Sequence, residues 1–272
     1  MTPPLILLPP SEGKANGGTG PAWKPGTMVR SGSPTGVALD ATRAKVMAAT
    51  VRAMKQSKVK RAVLLGVKGD ALDAATAVDL AVVTAPTVPA IERYTGVLYG
   101  ALDAASLSSR DRRRLGAQVR IFSGMWGIVG PDDPIPDYKL KMGARLDKLG
   151  RLSSMWKPHI DAALAPELVG RTVWNLLPNE HDAAWSGAAD ATAEISVRFL
   201  DDVIRGGTRQ LVIVSHWNKL LKGALVRHVL ANQLAEPDGL ARFSHPHGYE
   251  YAPSLTETDG NRIAVSMVAR RD

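Results

Sequence analysis

The sequence predicts an α+β (mixed α/β) fold, in which a central mixed sheet is flanked by helices. Three observations predict it. Short apolar runs such as Leu5–Leu8 have the length of buried strands, and segments of helical periodicity such as Leu39–Gln56 lie between them. The 272 residues also show no internal repeat and no clean linker, so we expect a single domain over residues 1–272.

The first elements follow from periodicity and from glycine placement. Leu5–Leu8 predicts a buried first strand, and Gly13–Gly36, rich in Gly, Pro, Ser and Thr, predicts a long loop. Leu39–Gln56 predicts a helix with Asp40 as its N-cap. Residues 62–83 predict two short helices joined by a glycine turn, because glycines interrupt the apolar pattern there.

The remaining elements are predicted by the same patterns, and only one stretch, 192–205, stays open between strand, turn and helix. In order, they are a helical pattern over Ala90–Leu102, a helix over Ser108–Gln118 capped by Ser108 or Ser109, a strand entering a glycine turn at Val119–Ile128, a helix at Leu152–Leu164, a strand at Thr172–Leu177, a buried strand at Leu211–Ser215, an amphipathic helix at His216–Asn232 and a final strand at Ile263–Val268.

Composition narrows the functional classes. Hydrophobic residues make up 45% and charged residues 22%, which is typical of a folded globular chain. No apolar run is long enough to cross a bilayer, and the prolines near the N-terminus disfavour a signal peptide, so we expect a cytoplasmic protein with no membrane contact. The absence of cysteine excludes disulfides and thiol catalysis. The net charge of +8 favours an anionic partner.

Four predicted strands end in polar clusters, and strand ends converge in α/β sheets. The polar residues that follow these strands are Ser11, Glu12, Lys14, Ser123, Glu180, Ser215, His216, Asn218 and Lys219. Glu12 and Glu180 are candidates for general acid/base chemistry, and Asn175, within the third strand, is a candidate for orienting a substrate. The alternative is that these residues only form turns and helix caps.

Lysines and arginines supply the predicted phosphate ligands. Lys219 and Lys222 lie one helical turn apart near a helix N-terminus, with Arg227 on much the same side, although such a face can also be merely solvated. Lys139 and Arg145 belong to a second basic run. The Ser11–Lys14 segment lacks the spacing of a nucleotide-binding P-loop, but a lysine beside a glycine turn suits a phosphate. We expect Lys14, Arg145, Lys219 and Lys222 to share one electropositive pocket.

The glycine turn within residues 58–83 resembles a helix-hairpin-helix, in which turn N–H groups hold a DNA phosphate without reading bases. Its candidate contacts are Gly66, Lys68 and Gly69, although the two glycines are three residues apart rather than the usual two. The six histidines are scattered without the spacing of a metal site, so the sequence predicts no metal and no cofactor.

An ordered set of motifs resembles the YaaA family of bacterial peroxide-stress proteins. The matching stretches are LILLPPSEGK at Leu5–Lys14, ERYTGVLYGAL at Glu92–Leu102, FSGMWGIVGPD at Phe122–Asp132, PDYKLKMGARL at Pro136–Leu146, WNLLPNE at Trp174–Glu180, VSHWNKLLKGALVR at Val214–Arg227, and Gly248-Tyr249. These stretches occur in family order and are spread almost from end to end of the chain. Tyr94 and Thr95, which lie within the second stretch, join the candidate ligand-binding residues.

The resemblance implies an unusual mixed α/β fold with a positively charged cleft, binding of double-stranded DNA, and a role in limiting damage from peroxide and free iron. It also places a DNA-binding element in the region of Ala62–Ala75. The chain departs from the family pattern at Thr95-Gly96-Val97, where some members carry Lys-Gly-Asp, and at Lys141, where the pattern has an acidic residue. The first change removes a charge pair from the predicted cleft, and the second replaces a negative charge with a positive one.

Two hypotheses follow. The first is a stress protein that binds duplex DNA through phosphate contacts, with affinity that falls steeply with salt. The second is an enzyme acting on a small anionic substrate such as a nucleotide or nucleobase derivative, with Glu12 or Glu180 as acid/base and Lys14, Arg145 and Lys219 as anion ligands.

Overall fold

The computed structural model describes residues 2–28, 35–214 and 217–271. The strands in these ranges are β1 (Leu5–Leu8), β2 (Val88–Pro89), β3 (Val119–Ser123), β4 (Gly127–Val129), β5 (Pro134–Ile135), β6 (Arg145–Leu146), β7 (Gly150–Arg151), β8 (Thr172–Asn175), β9 (Ala193–Arg205), β10 (Thr208–Ile213), β11 (Glu250–Tyr251), β12 (Glu257–Asp259) and β13 (Arg262–Arg270). The helices are α1 (Thr35–Met54), α2 (Lys58–Leu65), α3 (Gly69–Ala81), α4 (Ala90–Arg93), α5 (Val97–Leu102), α6 (Ser109–Gln118), α7 (Leu152–Leu168), α8 (Asn179–Asp182) and α9 (Asn218–Asn232).

A mixed sheet of nine strands forms the centre of the protein, with the main order β11-β13-β9-β8-β1-β3-β4. The strands from β13 to β3 in this order are parallel, whereas β4, β10, β11 and β12 pair antiparallel with their neighbours. All four residues of β1 are buried, as expected of a central parallel strand covered on both faces. The predicted α+β fold with a central mixed sheet is therefore confirmed.

The parallel register brings three strand ends to one edge of the sheet. Leu8 pairs with Ile121 of β3, and Leu7 pairs with Asn175 of β8. The residues that follow β1, β3 and β8 therefore emerge side by side, as the sequence predicted for these three strands, whereas the fourth predicted strand, β10, runs antiparallel to β9.

The sequence predicts a buried strand at Leu211–Ser215; a strand does form there, but the prediction that it is buried is wrong. The strand β10 is a largely exposed arm of the β9–β10 hairpin, and Ile213 remains 69% exposed. An apolar run predicts a strand, but it does not reveal whether a second layer covers that strand. Ser215 and His216 lie outside the described residues.

The predicted N-cap Asp40 is also wrong, because α1 begins by Thr35 and Asp40 lies within the helix. Its Oδ2 accepts a hydrogen bond from the backbone N–H of Gly26 at 2.6 Å, and its Oδ1 pairs with Arg43 at 3.0 Å. Asp40 thus fastens the preceding loop to the helix. The other predicted helix cap is confirmed, since the Ser108 hydroxyl accepts from the backbone N–H of Asp111 at 3.1 Å.

The helical pattern over Ala90–Leu102 is interrupted where Tyr94 turns extended between α4 and α5. Just before the break, the guanidinium of the buried Arg93 donates to the carbonyls of Ala15, Gly17 and Ile135. A single arginine therefore holds the loop after β1 against the break in the helix.

In the described residues, no helix is long and apolar enough to cross a membrane. The largest side chains of the interior include Trp126, Trp156 and Trp174, all fully buried. These three tryptophans are thus core residues, which is the ordinary role of this residue type.

Candidate functional site

The loop after β1 is held against the segment between α4 and α5. The backbone N–H of Ala15 donates to the Arg93 carbonyl at 2.8 Å, and that of Thr95 donates to the Gly13 carbonyl at 3.1 Å. Gly96 is required at this contact, because a Cβ there would overlap the Ser11 hydroxyl. The predicted ligand residues Ser11, Lys14, Tyr94 and Thr95 are therefore brought together.

Lys14 lies in a largely buried niche of aromatic rings. Its Nζ donates to the Ser11 carbonyl at 2.9 Å, and lies 4.4 Å from the centroid of the Tyr138 ring and 5.8 Å from that of Tyr94. Burial lowers the pKa of Lys14 to about 8, although the nearby Asp137 opposes the shift. The amine can therefore lose its proton close to neutral pH.

A chain of hydroxyl groups lies beneath this niche. The phenolic oxygens of Tyr94 and Tyr138 are 2.8 Å apart, and the Tyr138 oxygen is 2.7 Å from the Ser123 hydroxyl. Burial raises the pKa of Tyr138 to about 12, so its phenol stays neutral. Ser123 is fully buried and also accepts from the backbone N–H of Trp126. The two hydrogen bonds of the Ser123 hydroxyl therefore hold the phenol of Tyr138 in position.

Asp79 is a buried carboxyl that sequence reasoning missed. Its Oδ1 accepts from the backbone N–H of Lys139 at 2.7 Å, while its buried Oδ2 has no hydrogen-bond partner among the described residues. Burial raises the pKa of Asp79 to about 7, against the opposing effects of that hydrogen bond and of Lys14. The helical periodicity of α3 could have indicated this burial, because Asp79 lies on the same helix face as the buried Leu72, Ala75 and Thr76.

Three lysines act on the carboxylate of Glu12. Lys141 Nζ lies 3.5 Å from its Oε1, and the charges of Lys139 and Lys219 reach it as well. Partial burial would raise the pKa of Glu12, but the three positive charges together hold it below its ordinary value. Glu12 is therefore ionised at neutral pH. Its side chain is 73% exposed and lies beside an excess of positive charge.

The other two predicted catalytic residues have defined partners. Glu180 Oε1 accepts from the backbone N–H of Gly143 at 2.6 Å. The side-chain amide nitrogen of Asn175 donates to Asp182 at 2.8 Å and to Glu194 at 2.7 Å, and its side-chain oxygen accepts from the backbone N–H of Leu177. The side chain of Asn175 thus organises the turn after β8.

A cavity of about 110 Å³ opens beside Lys14, with Ser11, Glu12, Tyr138, Glu180 and His181 among its lining residues. Burial lowers the pKa of His181, and its Nδ1 is buried without a hydrogen-bond partner among the described residues. Lys139 and Lys141 line the cavity as well, so it carries three lysine amines, two carboxylates and one imidazole with a lowered pKa.

A larger depression of about 930 Å³ shares Lys141 and Glu180 with this cavity and extends past Arg145 to α2. It reaches Gly66, and a third depression of about 650 Å³, on the other side of α2, is lined by Gly66, Lys68 and Gly69. The candidate site thus continues from the Lys14 cavity to the turn between α2 and α3.

The two predicted short helices and their glycine turn are confirmed as α2 and α3. Gly66 ends α2 in the left-handed conformation, with φ 67°, and Gly69 begins α3 with φ 57°. Lys141 approaches this turn closely, because a Cβ at Gly66 would lie 3.4 Å from Lys141 Nζ. The turn and the lysines around Glu12 therefore form one continuous surface.

The basic residues of α9 divide into two groups. Lys219 is exposed and acts on Glu12, whereas Lys222 Nζ donates to the Leu176 carbonyl at 3.0 Å and burial lowers its pKa. Arg227 donates to the carbonyls of Leu102 and Asp103, which fastens α9 to α5. Asn218 donates weakly to the Val214 carbonyl, at 3.4 Å.

The structure thus brings Lys14, Lys139 and Lys219 to the surroundings of Glu12 and places Arg145 in the adjoining depression. It does not bring Arg227 there, because Arg227 lies eight residues beyond Lys219 in α9, roughly 12 Å away by helix rise. Among the described residues no group of three or more His, Cys, Asp or Glu side chains is placed to hold a metal ion.

Comparisons with known proteins give matches over most of the chain. A family model described as peroxide stress protein YaaA matches residues 5–255. A UPF0246 protein of Streptomyces coelicolor is 38% identical over 239 residues, covering 87% of this chain and 86% of the relative. A UPF0246 protein of Corynebacterium glutamicum is 34% identical over 227 residues, covering 82% of this chain and 83% of the relative.

Proposed function

This chain belongs to the peroxide stress protein YaaA family, and from that premise we propose that it binds double-stranded DNA by its phosphates in the cytoplasm during peroxide stress. The observation that carries the proposal is the close approach of Lys141 to Gly66, which joins the turn between α2 and α3 to the lysines around Glu12.

The turn between α2 and α3 has the geometry of an anion site. The first N–H groups of a helix have no partner within the helix, and the 13-residue α3 begins at Gly69 directly after the exposed Lys68. Gly66 and Gly69 carry no side chains, so a phosphate can approach the backbone closely at these two positions. Such a contact positions DNA without reading its sequence.

Electrostatics extend this site into a surface. Lys139, Lys141 and Lys219 act on the carboxylate of Glu12, and these three positive charges outnumber the two carboxylates, Glu12 and Glu180, that line the cavity. The chain as a whole carries +8, which speeds the approach of a polyanion. We therefore propose that this surface is the positively charged cleft expected from the family.

Equilibrium binding of a fluorescent duplex of about 20 base pairs, measured by anisotropy at about 50 and 200 mM salt, tests the proposal. We expect affinity to fall by at least about tenfold between the two conditions, because each phosphate contact releases a counterion. Two duplexes of unrelated sequence should bind equally. Absent or salt-insensitive binding would overturn the proposal.

A second candidate function is favoured by the cavity beside Lys14. It combines an amine with Glu12, Glu180 and His181, which exceeds what phosphate binding requires. We propose, as the alternative, an enzyme that acts on a small anionic substrate such as a nucleotide, with Glu180 as acid/base. A thermal-shift screen of nucleotides and nucleobases, followed by Glu180→Gln, separates the two. An absence of ligand-induced stabilisation, or turnover unchanged in the variant, removes the alternative.

A further inference from the structure

Lys14 has the surroundings of a nucleophilic amine. The partners of its Nζ in the described residues are one carbonyl, of Ser11, and the rings of Tyr94 and Tyr138, none of which is a carboxylate. With a pKa of about 8, roughly a tenth of this amine is neutral at pH 7. A neutral lysine amine in a desolvated pocket is the form that attacks a carbonyl carbon.

The size of the cavity beside Lys14 restricts what can reach this amine. Its volume of about 110 Å³ is well below the roughly 300–1,000 Å³ of sites that enclose a drug-sized ligand. The cavity therefore admits a group of a few heavy atoms, such as an open-chain sugar, whereas a whole nucleotide would extend into the adjoining depression.

The amine also lies close to the proposed DNA surface. Tyr138, whose ring covers Lys14, is three residues from Lys141, a span of at most about 11 Å. Lys141 in turn lines one depression together with Gly66 of the turn. A phosphate held at the turn would place the next nucleotides of the strand, at a rise of about 3.4 Å per base pair, near the mouth of the cavity.

From these three observations we infer that Lys14 captures the aldehyde of an abasic site in duplex DNA as an imine. The deoxyribose of an abasic nucleotide has lost its base and opens to an aldehyde at C1′, whereas an intact nucleotide has no free carbonyl on its sugar. The inference rests on the proposed DNA binding and adds a covalent activity to the same surface.

The reaction balances without a co-reactant. The lone pair of Nζ forms a bond to C1′, and the carbonyl oxygen takes up a proton to give a carbinolamine. The hydroxyl then leaves as water while nitrogen and carbon form a double bond. One amine, one aldehyde and one proton thus give one protonated imine and one water, and nothing is oxidised or reduced.

A trapping experiment tests the inference. The full-length protein is incubated with a duplex that carries one abasic site, sodium cyanoborohydride reduces any imine to a stable amine, and peptide mapping locates the adduct. Lys14→Arg keeps the charge and removes the nucleophile, while Lys45→Arg, on the exposed face of α1, is the matched control. Anisotropy with an intact duplex measures the binding of each variant.

The pH dependence distinguishes Lys14 from a surface lysine. The charged groups that act on its amine are Asp137, Lys139, Asp79 and Glu12. We expect the rate of adduct formation to rise up to about pH 8 and then level off, whereas an exposed lysine would continue to gain reactivity towards about pH 10.

We expect the wild-type adduct on the peptide that contains Lys14, and at least about tenfold less adduct in Lys14→Arg when each yield is normalised to that protein's binding of intact duplex. An adduct on another lysine, or an equal yield in Lys14→Arg, would overturn the inference. Binding of intact duplex by the wild type without any adduct removes this inference alone. Failure to bind intact duplex removes both this inference and the proposed function.

Discussion

The amine of Lys14 lies 4.4 Å from the centroid of the Tyr138 ring, and this contact joins the loop after β1 to the chain segment that leads into β6. The next residue, Lys139, is bound through its backbone to Asp79 of α3, and Lys141 reaches the turn before α3. These contacts therefore hold together the loop after β1, the segment before β6 and helix α3, which are distant in sequence.

Replacement of Asp79 by Asn should change how stability depends on pH. Because the folded-state pKa, about 7, exceeds the ordinary 3.8, the folded wild type holds a proton that the unfolded chain loses, and stability falls as pH rises from about 4 to 7. Asp79→Asn should therefore be more stable than the wild type at pH 8, by on the order of 2–4 kcal/mol, with no such gain at pH 4. Urea unfolding at the two pH values measures this, and an equal difference at both would contradict it.

Removal of single lysines from the proposed surface should reduce the salt dependence of duplex binding. Lys68→Ala and Lys141→Ala should each lower the slope of log affinity against log salt by about 1, because each phosphate contact releases about one counterion. Lys45→Ala, on α1, serves as the control with an unchanged slope. Slopes equal to that of the wild type in both surface variants would exclude these two lysines as phosphate contacts.

Glu12→Gln should strengthen duplex binding. The variant removes the carboxylate that Lys139, Lys141 and Lys219 surround, and so raises the local positive charge. We expect a gain of severalfold at low salt that shrinks at high salt, because the exposed charges are screened. Weaker binding in the variant would show that Glu12 supports the site instead of opposing the anion.

Gly96→Ala should destabilise the protein by about 1–3 kcal/mol, because its Cβ would overlap the Ser11 hydroxyl. Gly100→Ala is the matched control four residues on, in α5, where a Cβ meets nothing within 4 Å. Helix propensity there predicts a gain of up to about 1 kcal/mol. Thermal unfolding of the two variants distinguishes them, and equal midpoints would mean that the Ser11 loop is free to move.

Much of the fold was readable from periodicity, because a four-residue apolar run such as Leu5–Leu8 and the glycine pair at Gly66 and Gly69 determine structure locally. The exposure of β10 was not readable, since covering it depends on a second layer that the run itself does not encode. Asp40 failed as an N-cap because α1 extends into a segment whose composition is typical of a loop.

The site was predicted in part. The loops after β1, β3 and β8 converge because parallel register places their ends together, which a sequence can indicate. Asp79 and Tyr138 were missed because their importance comes from burial against Lys14 and Lys139, which only the folded chain creates. Arg227 looked like an anion ligand by spacing, yet the carbonyls of Leu102 and Asp103 occupy its guanidinium.

Hydrogen–deuterium exchange with and without duplex DNA locates the bound surface without any mutation. If DNA binds the turn between α2 and α3 together with the lysines around Glu12, the amides of residues 58–81 and of residues 137–145 should both exchange more slowly when DNA is added. Protection confined to the β9–β10 hairpin, or no protection in either segment under conditions where the duplex is bound, would contradict it.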